Sequence, residues 1–128
     1  KRVCTQMHKA KIEESLFIDP DIQQINAAAN TGAQFIELHT SSFAEHFNNA
    51  RTRQRELNRL ITAATHAHSL GLRVNAGHGL NYENLKSLHK VPHLEELNIG
   101  HSIISKSVET GLSKAVKEML RLMKGYQH

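Results

Sequence analysis

Short apolar runs alternate with longer amphipathic stretches along this chain. The runs at 15–18, 35–39, 72–75 and 96–99 have the length of buried strands, and the segments between them repeat apolar residues at helical spacing. This alternation is typical of βα units that build a parallel sheet. The pattern therefore predicts an α/β fold with four such units.

Capping residues and glycines mark where the intervening helices begin and end. Asp19 and Pro20 suit the N-cap and first turn of a helix, and Gly32 and Gly71 suit helix ends. The exit of the second strand, over 40–49, is polar and is predicted to be a long loop. Helices are predicted at 1–11, 19–32, 52–69, 81–89, 102–109 and 113–124.

Two of these helices have an apolar stripe that we expect to face the core. In the helix at 52–69 the stripe comprises Leu57, Leu60, Ile61 and Ala64. In the helix at 113–124 it comprises Ala115, Val116, Met119, Leu120 and Met123.

Two copies of one short phrase follow the last two strands: Asn-Ala-Gly-His at 75–78 and Asn-Ile-Gly-His at 98–101. A strand that ends in Gly-His and turns into a helix exposes backbone N–H groups where the helix dipole favours an anion. It also places beside that anion an imidazole, which titrates near neutral pH. Two adjacent corners of this kind predict a site that handles phosphate.

Four βα units amount to about half of a closed (β/α)8 barrel, which has roughly 250 residues. In such barrels the loops after strands 7 and 8, with a short extra helix, often hold phosphate. The two Gly-His corners follow the last two strands, and the short helix at 102–109 follows the second corner. The sequence therefore predicts a TIM-barrel fold in which 1–128 is a single partial domain supplying strands 5–8.

Composition narrows the classes of function. The net charge is +4, but Lys and Arg are interleaved with Glu along helices, so a small anionic metabolite is a better partner than nucleic acid. No apolar run approaches the roughly 18 residues that span a membrane. Cys4 is the only cysteine, expected to be a packed or surface thiol. A chain without disulfides fits the cytoplasm.

Acid, imidazole, amide and glycine residues stand at the strand ends, where active sites of this architecture lie. His78 suits a general acid or base, or alternatively a cap of the following turn. His101 suits a phosphate ligand, or alternatively a helix cap. The candidates are Asp19, Glu37, His39, Asn75, His78, Gly79, Asn98, Gly100 and His101. The remaining histidines are expected at the surface: His8, His46, His66, His68, His89, His93 and His128.

Glu37 lies inside an apolar strand, so it faces either the barrel interior or the helix layer, and a buried carboxylate needs a partner. It either polarises a substrate carbonyl or a water, or pairs with a neighbouring histidine. His39 shares the face of Glu37 and either orients it or contacts substrate. Geometry allows a metal on His39, His78 and His101, but the close ligand pair of metalloenzymes is missing, so no metal is expected.

Four strings are specific enough to suggest a family. They are Ser-Leu-Phe-Ile-Asp at 15–19, Phe-Ile-Glu-Leu-His-Thr at 35–40, Val-Asn-Ala-Gly-His-Gly-Leu at 74–80 and Glu-Leu-Asn-Ile-Gly-His at 96–101. In order and spacing they resemble the C-terminal half of the bacterial pyridoxine 5′-phosphate synthases. The resemblance covers nearly the whole chain and implies a TIM-barrel enzyme of vitamin B6 biosynthesis. Such enzymes condense 3-amino-2-oxopropyl phosphate with 1-deoxy-D-xylulose 5-phosphate, releasing phosphate and water, without a metal or organic cofactor.

The resemblance also implies roles for individual residues. His78 corresponds to a proton donor, and Glu37 corresponds to a residue that stabilises the transition state. Gly79, Gly100 and His101 correspond to residues that bind the phosphate-bearing amino ketone. The family further implies a homo-oligomer, an octamer.

Part of the family's active site has no counterpart here. Its N-terminal half carries a second catalytic histidine, a glutamate that acts as base, and the residues that hold the deoxyxylulose phosphate. We therefore expect these 128 residues alone to have no synthase activity.

Three residues depart from the family's usual pattern. Glu14 stands where an apolar residue is usual. Ser41 and Phe43 replace a common Gly and Tyr in the predicted loop, where we expect little effect.

Two other functions stay open. A phosphate-binding half-barrel without catalysis would have the same corners, and its open sheet edges should make it dimerise, pair with a missing half or aggregate. Another sugar-phosphate barrel enzyme, such as an epimerase or aldolase, would need a Schiff-base lysine or metal ligands at the strand ends, and the sequence offers neither.

Overall fold

A computed structural model describes residues 1–124 and 126, and within them the strands form one parallel sheet in the order β1-β2-β3-β4. The strands are β1 (Ser15–Ile18), β2 (Phe35–His39), β3 (Arg73–Gly77) and β4 (Leu94–Asn98). The helices are α1 (Arg2–Lys9), α2 (Ile22–Ala29), α3 (Ser41–Glu45), α4 (Ala50–Ser69), α5 (Leu85–Leu88), α6 (His101–Thr110) and α7 (Leu112–Met123). The predicted α/β fold with a parallel sheet is confirmed and is compatible with part of a TIM barrel.

The two faces of the sheet differ in what covers them. On one face, apolar residues of β2 and β3 are buried in a core shared with α2 and α4: Ile36, Leu38, Val74 and Ala76. Alternation along the strands directs their neighbours to the opposite face, where one row in register is Phe17, Glu37, Asn75 and Glu96. Phe17 is 54% exposed there, so this face is partly open to solvent.

The predicted N-cap of the second helix is wrong by two residues. Asp21, not Asp19, caps α2, because its carboxylate accepts hydrogen bonds of 3.0 Å from the N–H groups of Gln23 and Gln24. The carboxylate of Asp19 is instead directed to His39, 3.3 Å away. Asp19 therefore lies beside His39 at the strand ends instead of capping α2.

The segment predicted as a loop over 40–49 contains a short helix, α3. Phe43 is only 1% exposed, and the burial of its ring stabilises a turn that is too short to be stable alone. Ser41 and Phe43 are therefore helical rather than in a loop. The exit of β2 is thus a fixed structure against which other loops can pack.

The helix predicted over 81–89 forms only at α5, which has four residues. Asn81 Oδ1 accepts hydrogen bonds from the N–H groups of Glu83 and Asn84, at 2.9 and 3.0 Å. Such side-chain bonds compete with helical ones and hold the preceding residues in turns.

The predicted apolar stripes fit α4 better than α7. Leu57, Leu60 and Ala64 are buried and Ile61 is half-buried. In α7, Ala115 and Met119 are buried and Met123 is half-buried, but Val116 and Leu120 are exposed, which corrects the prediction. The reason is that α7 packs mainly on α6 and, to a lesser extent, on α5, so it buries a narrower stripe.

Cys4 is buried, and two histidines that were expected at the surface, His66 and His89, are half-buried. The two histidines correct the prediction because each has a partner: His89 Nε2 donates to the carbonyl of Leu122 at 3.0 Å, and His66 Nε2 lies 2.7 Å from Asn26 Oδ1. The predicted position of His128 lies outside the described residues.

Candidate active site

A cleft of about 800 Å³ opens at the carboxyl ends of β3 and β4. Six of the predicted site residues line it: Glu37, His78, Gly79, Asn98, Gly100 and His101. Asp19, His39 and Asn75 lie outside this lining. The cleft is therefore built around the two Gly-His corners.

Glu37 faces the open side of the sheet, not the helix layer. Its Oε2 accepts a hydrogen bond of 2.6 Å from Asn98 Nδ2, so its partner is an amide rather than a histidine. Its Oε1 occupies the space over Gly77 where any side chain would place a β-carbon. Gly77 is thus needed for close approach, and the carboxylate is fixed between β3 and β4.

The first corner holds His78 in a left-handed backbone conformation, with φ of +78°, which is uncommon for a residue with a side chain. Thr40, fully buried, stabilises it: its hydroxyl lies 2.7 Å from the carbonyl oxygen of Gly77 and 2.6 Å from that of His78. The imidazole of His78 is exposed and makes no hydrogen bond to another described residue, so it does not cap the turn.

Close packing on α3 and two side-chain hydrogen bonds hold the turn after His78. Gly79 has φ of +79°, and a β-carbon there would lie 2.7 Å from Ala44 Cβ on α3. Its carbonyl accepts a hydrogen bond of 3.0 Å from Asn84, which is 1% exposed. Ser102 donates to the carbonyl of Leu80 at 2.8 Å and so links this turn to α6.

The second corner is open by contrast. Gly100 is the N-cap of α6 and His101 is its first residue; both are exposed, and no side chain caps the helix. The first N–H groups of a helix have no partner within it and attract an anion. Lys106, one turn further along the cleft, adds positive charge with its ammonium 5.7 Å from the centre of the Tyr82 ring.

Comparison with known proteins identifies the family. A family model described as "Pyridoxal phosphate biosynthesis protein PdxJ" matches residues 1–125. The chain belongs to the PdxJ family. It is 51% identical to the pyridoxine 5′-phosphate synthase of Opitutus terrae over 119 residues, which are 92% of this chain and 48% of that protein. It is also 51% identical to the synthase of Coxiella burnetii, covering 99% of this chain and 52% of the relative. The resemblance is confirmed, and the chain spans about half the length of these curated relatives.

Membership of the PdxJ family removes the epimerase or aldolase alternative. The cleft does contain a lysine, Lys106, but it comes from α6 and not from a strand end. No three His, Cys, Asp or Glu residues in the described part of this PdxJ chain are grouped so as to hold a metal ion. The expectation of a site without metal stays a prediction.

Tyr82 lines the cleft of this PdxJ family member as a hydrogen-bond donor. Its hydroxyl donates to the carbonyl of Ala115 at 3.0 Å. Burial raises the pKa of Tyr82, and the negative charge of Glu118 raises it further. The phenol therefore stays protonated near neutral pH and ties the cleft wall to α7.

Two predicted site residues, His39 and Asn75, lie outside the cleft lining and have partners other than those expected. His39 is hydrogen-bonded to Asp19 and Ser41, so it does not orient Glu37. Asn75 is 4% exposed; its Nδ2 lies 3.5 Å from Glu96, and its Oδ1 is buried with no partner among residues 1–124 and 126. Asn75 thus lies beneath the cleft rather than in its lining.

Sequence reasoning missed Thr40 and Asn84, which hold the first corner. Both are polar, and both are at most 1% exposed. A threonine directly after a strand and the Asn-x-x-Asn spacing of Asn81 and Asn84 were the available signals, because such side chains bond to nearby backbone in turns.

Among the described helices, none is long and apolar enough to cross a bilayer.

Proposed function

We propose that this chain is the part of a pyridoxine 5′-phosphate synthase that binds 3-amino-2-oxopropyl phosphate and supplies the acid. The observation that supports it most is the single cleft lined by all five residues to which the family resemblance gives roles: Glu37, His78, Gly79, Gly100 and His101. The partner substrate would be 1-deoxy-D-xylulose 5-phosphate, and the product pyridoxine 5′-phosphate.

In this proposal the second corner binds phosphate and the first corner donates a proton. The phosphate of the amino ketone binds at the open N-terminus of α6, beside Gly100 and His101. The imidazolium of His78, presented by a fixed turn, donates a proton to the oxygen that leaves as water. The carboxylate of Glu37, held by Asn98, stabilises the positive charge that develops on the substrate nitrogen during condensation.

The base that removes protons would come from outside this chain. We propose that these residues form strands 5–8 of a TIM barrel, as a single partial domain, and that the other half supplies the base and the deoxyxylulose site. A homo-oligomer and a cytoplasmic location complete the proposal. The support is the parallel sheet, the family match, and the half-length coverage of the relatives.

A hybrid protein tests the proposal. The part of the Coxiella burnetii synthase that this chain does not cover is joined to it, and formation of pyridoxine 5′-phosphate from both substrates is measured. We expect turnover by the hybrid, none by the 128-residue chain alone, and a loss of about 10² to 10⁴-fold in a His78→Asn hybrid. A folded hybrid without turnover would overturn the proposal, and turnover by the chain alone would overturn its incompleteness.

A phosphate-binding half-barrel without catalysis is the second candidate. The observation that favours it is that both corners of the cleft come from this chain. A folded, inactive hybrid that still binds inorganic phosphate would select this candidate. Light scattering that finds a stable monomer would count against the half-barrel itself, since its sheet edges should associate.

A further inference from the structure

Three side chains outside the cleft form a hydrogen-bonded relay at the carboxyl ends of β1 and β2. Ser41 Oγ lies 2.8 Å from His39 Nε2, and His39 Nδ1 lies 3.3 Å from Asp19 Oδ1. The Asp19 carboxylate can only accept, so it takes the hydrogen on Nδ1 and leaves Nε2 to accept from the Ser41 hydroxyl. We propose that Ser41, His39 and Asp19 act as nucleophile, base and orienting acid in the cleavage of small carboxylic esters.

The arrangement meets the geometric requirements of a serine nucleophile. The nucleophile and its base are within hydrogen-bond reach, and a third group orients the base through its other nitrogen. The chain order of the three residues is immaterial, because such triads are recognised by geometry rather than by sequence position. The relay lies at the strand ends, which is the face that serves catalysis in this architecture.

The imidazole of His39 is held on its flanks as well as at its nitrogens. The rings of Phe17 and His78 each have their centre 4.9 Å from that of His39, in edge-to-face contact at 68° and 65°. A base fixed by ring packing and hydrogen bonds is preorganised for proton transfer. Such fixing costs the site little further ordering when a substrate arrives.

The relay is accessible to a small substrate and to water. The side chains of Asp19 and His39 are 58% and 30% exposed, and Ser41 is half-buried. Gly79 lies beside Ser41, since a β-carbon added to Gly79 would be 3.8 Å from Ser41 Cα. Because the nucleophile is half-buried, the site suits esters with a small acyl group rather than a bulky one.

The proposed reaction is hydrolysis in two steps. Ser41 Oγ attacks the ester carbonyl while its proton moves to His39 Nε2, and that proton then passes to the alcohol oxygen as the carbon–oxygen bond breaks. Water attacks the resulting acyl-serine and gives a proton to Nε2, which returns it to Ser41 Oγ as the carboxylic acid leaves. One ester and one water become one acid and one alcohol.

Asp19, His39 and Ser41 do not line the phosphate cleft, although the ring of His39 contacts that of His78, which does. The same hydrogen bonds would also arise if Ser41 and Asp19 only positioned the imidazole. The two cases differ in whether Ser41 Oγ becomes covalently modified. A probe that reacts with activated serine hydroxyls separates them.

The experiment treats the 128-residue chain with a small alkyl fluorophosphonate, whose fluoride Ser41 Oγ would displace. Intact mass and peptide mapping measure the adduct, and release of p-nitrophenol from p-nitrophenyl acetate gives an independent rate. We expect one adduct per chain, on Ser41, and none in Ser41→Ala. We expect labelling to slow about 100-fold in His39→Asn and about 10-fold in Asp19→Asn, because general-base catalysis is lost or misdirected.

Ser42→Ala is the matched control, since Ser42 is the next residue on the same helix and is exposed. It should be labelled at the rate of the unchanged chain, and circular dichroism should find every variant folded. Absence of an adduct on the folded chain would overturn the proposal. So would an adduct that persists in Ser41→Ala, or labelling of a folded His39→Asn at the unchanged rate.

Discussion

The two Gly-His corners share a sequence phrase but differ in structure. The backbone of the first, at 77–79, is enclosed: a buried hydroxyl and a buried amide hold it by hydrogen bonds, and a carboxylate fills the space over Gly77. The second, at 100–101, is exposed, and no atom lies near enough to Gly100 to meet an added β-carbon. The same residues thus give a fixed imidazole in one place and an open anion site in the other. Their surroundings, and not the motif, determine the difference.

The largest expected contrast is between alanine at Gly77 and alanine at Gly100. In Gly77→Ala the new methyl group collides with Glu37 Oε1 and comes within 3.1 Å of Asn98 Cβ. We expect a loss of about 2 to 3 kcal/mol in the free energy of unfolding. Gly100→Ala meets open space at an ordinary φ of −115°, so a loss below about 1 kcal/mol is expected.

Urea denaturation of both variants, followed by circular dichroism, measures this contrast. Equal losses at the two positions would contradict the distinction between an enclosed and an open corner. Phosphate binding should survive in Gly100→Ala, because the N–H groups of α6 are unchanged.

A smaller effect is expected from Thr40→Val, which keeps the volume but removes the hydroxyl that reaches the carbonyls of Gly77 and His78. The Thr40 N–H still bonds to Gly77 at 2.9 Å, so we expect a loss of about 1 to 2 kcal/mol rather than unfolding. Thr110→Val is the control, since that hydroxyl bonds only to Lys106 within α6, and it should lose less than about 0.5 kcal/mol. Indistinguishable unfolding curves for the two would show that Thr40 does not stabilise the corner.

The smallest effect concerns anion binding at the second corner. Titration with inorganic phosphate, followed by amide NMR, should shift the resonances of His101 and Ser102 more than that of Gly79. Lys106→Gln should weaken binding about threefold, because a charge that stays in contact with solvent contributes less than about 1 kcal/mol. Lys114→Gln, on α7 and outside the cleft lining, should leave the affinity unchanged. Equal shifts at both corners would mean that the enclosed corner also binds phosphate.

The sequence predicted the strands better than the short helices, for physical reasons. Each strand has its own apolar run, and the apolar residues of β2 and β3 that face the helices are buried where the pattern requires. The helix α3 depends on the burial of Phe43. The helix α5 is short because the side chain of Asn81 accepts hydrogen bonds from backbone N–H groups that precede the helix. Neither property is visible in hydrophobic spacing.

The site was predicted in part for a similar reason. Glu37, His78 and His101 were found because their residue types stand at strand ends, and the cleft brings them together. Thr40 acts on a backbone 37 residues away, and Asn98 holds a carboxylate 61 residues away. Contacts over such distances leave no local pattern, so only the folded chain reveals them.

The order of the strands has a consequence for how the chain folds. Each strand pairs with the one that precedes it in the chain: Ser15 lies opposite Phe35, and Val74 opposite Leu94. Such neighbouring pairs close short loops, which lowers the entropic barrier to each step. The sheet can therefore grow one strand at a time during synthesis, each new βα unit being added to an edge that is already in place.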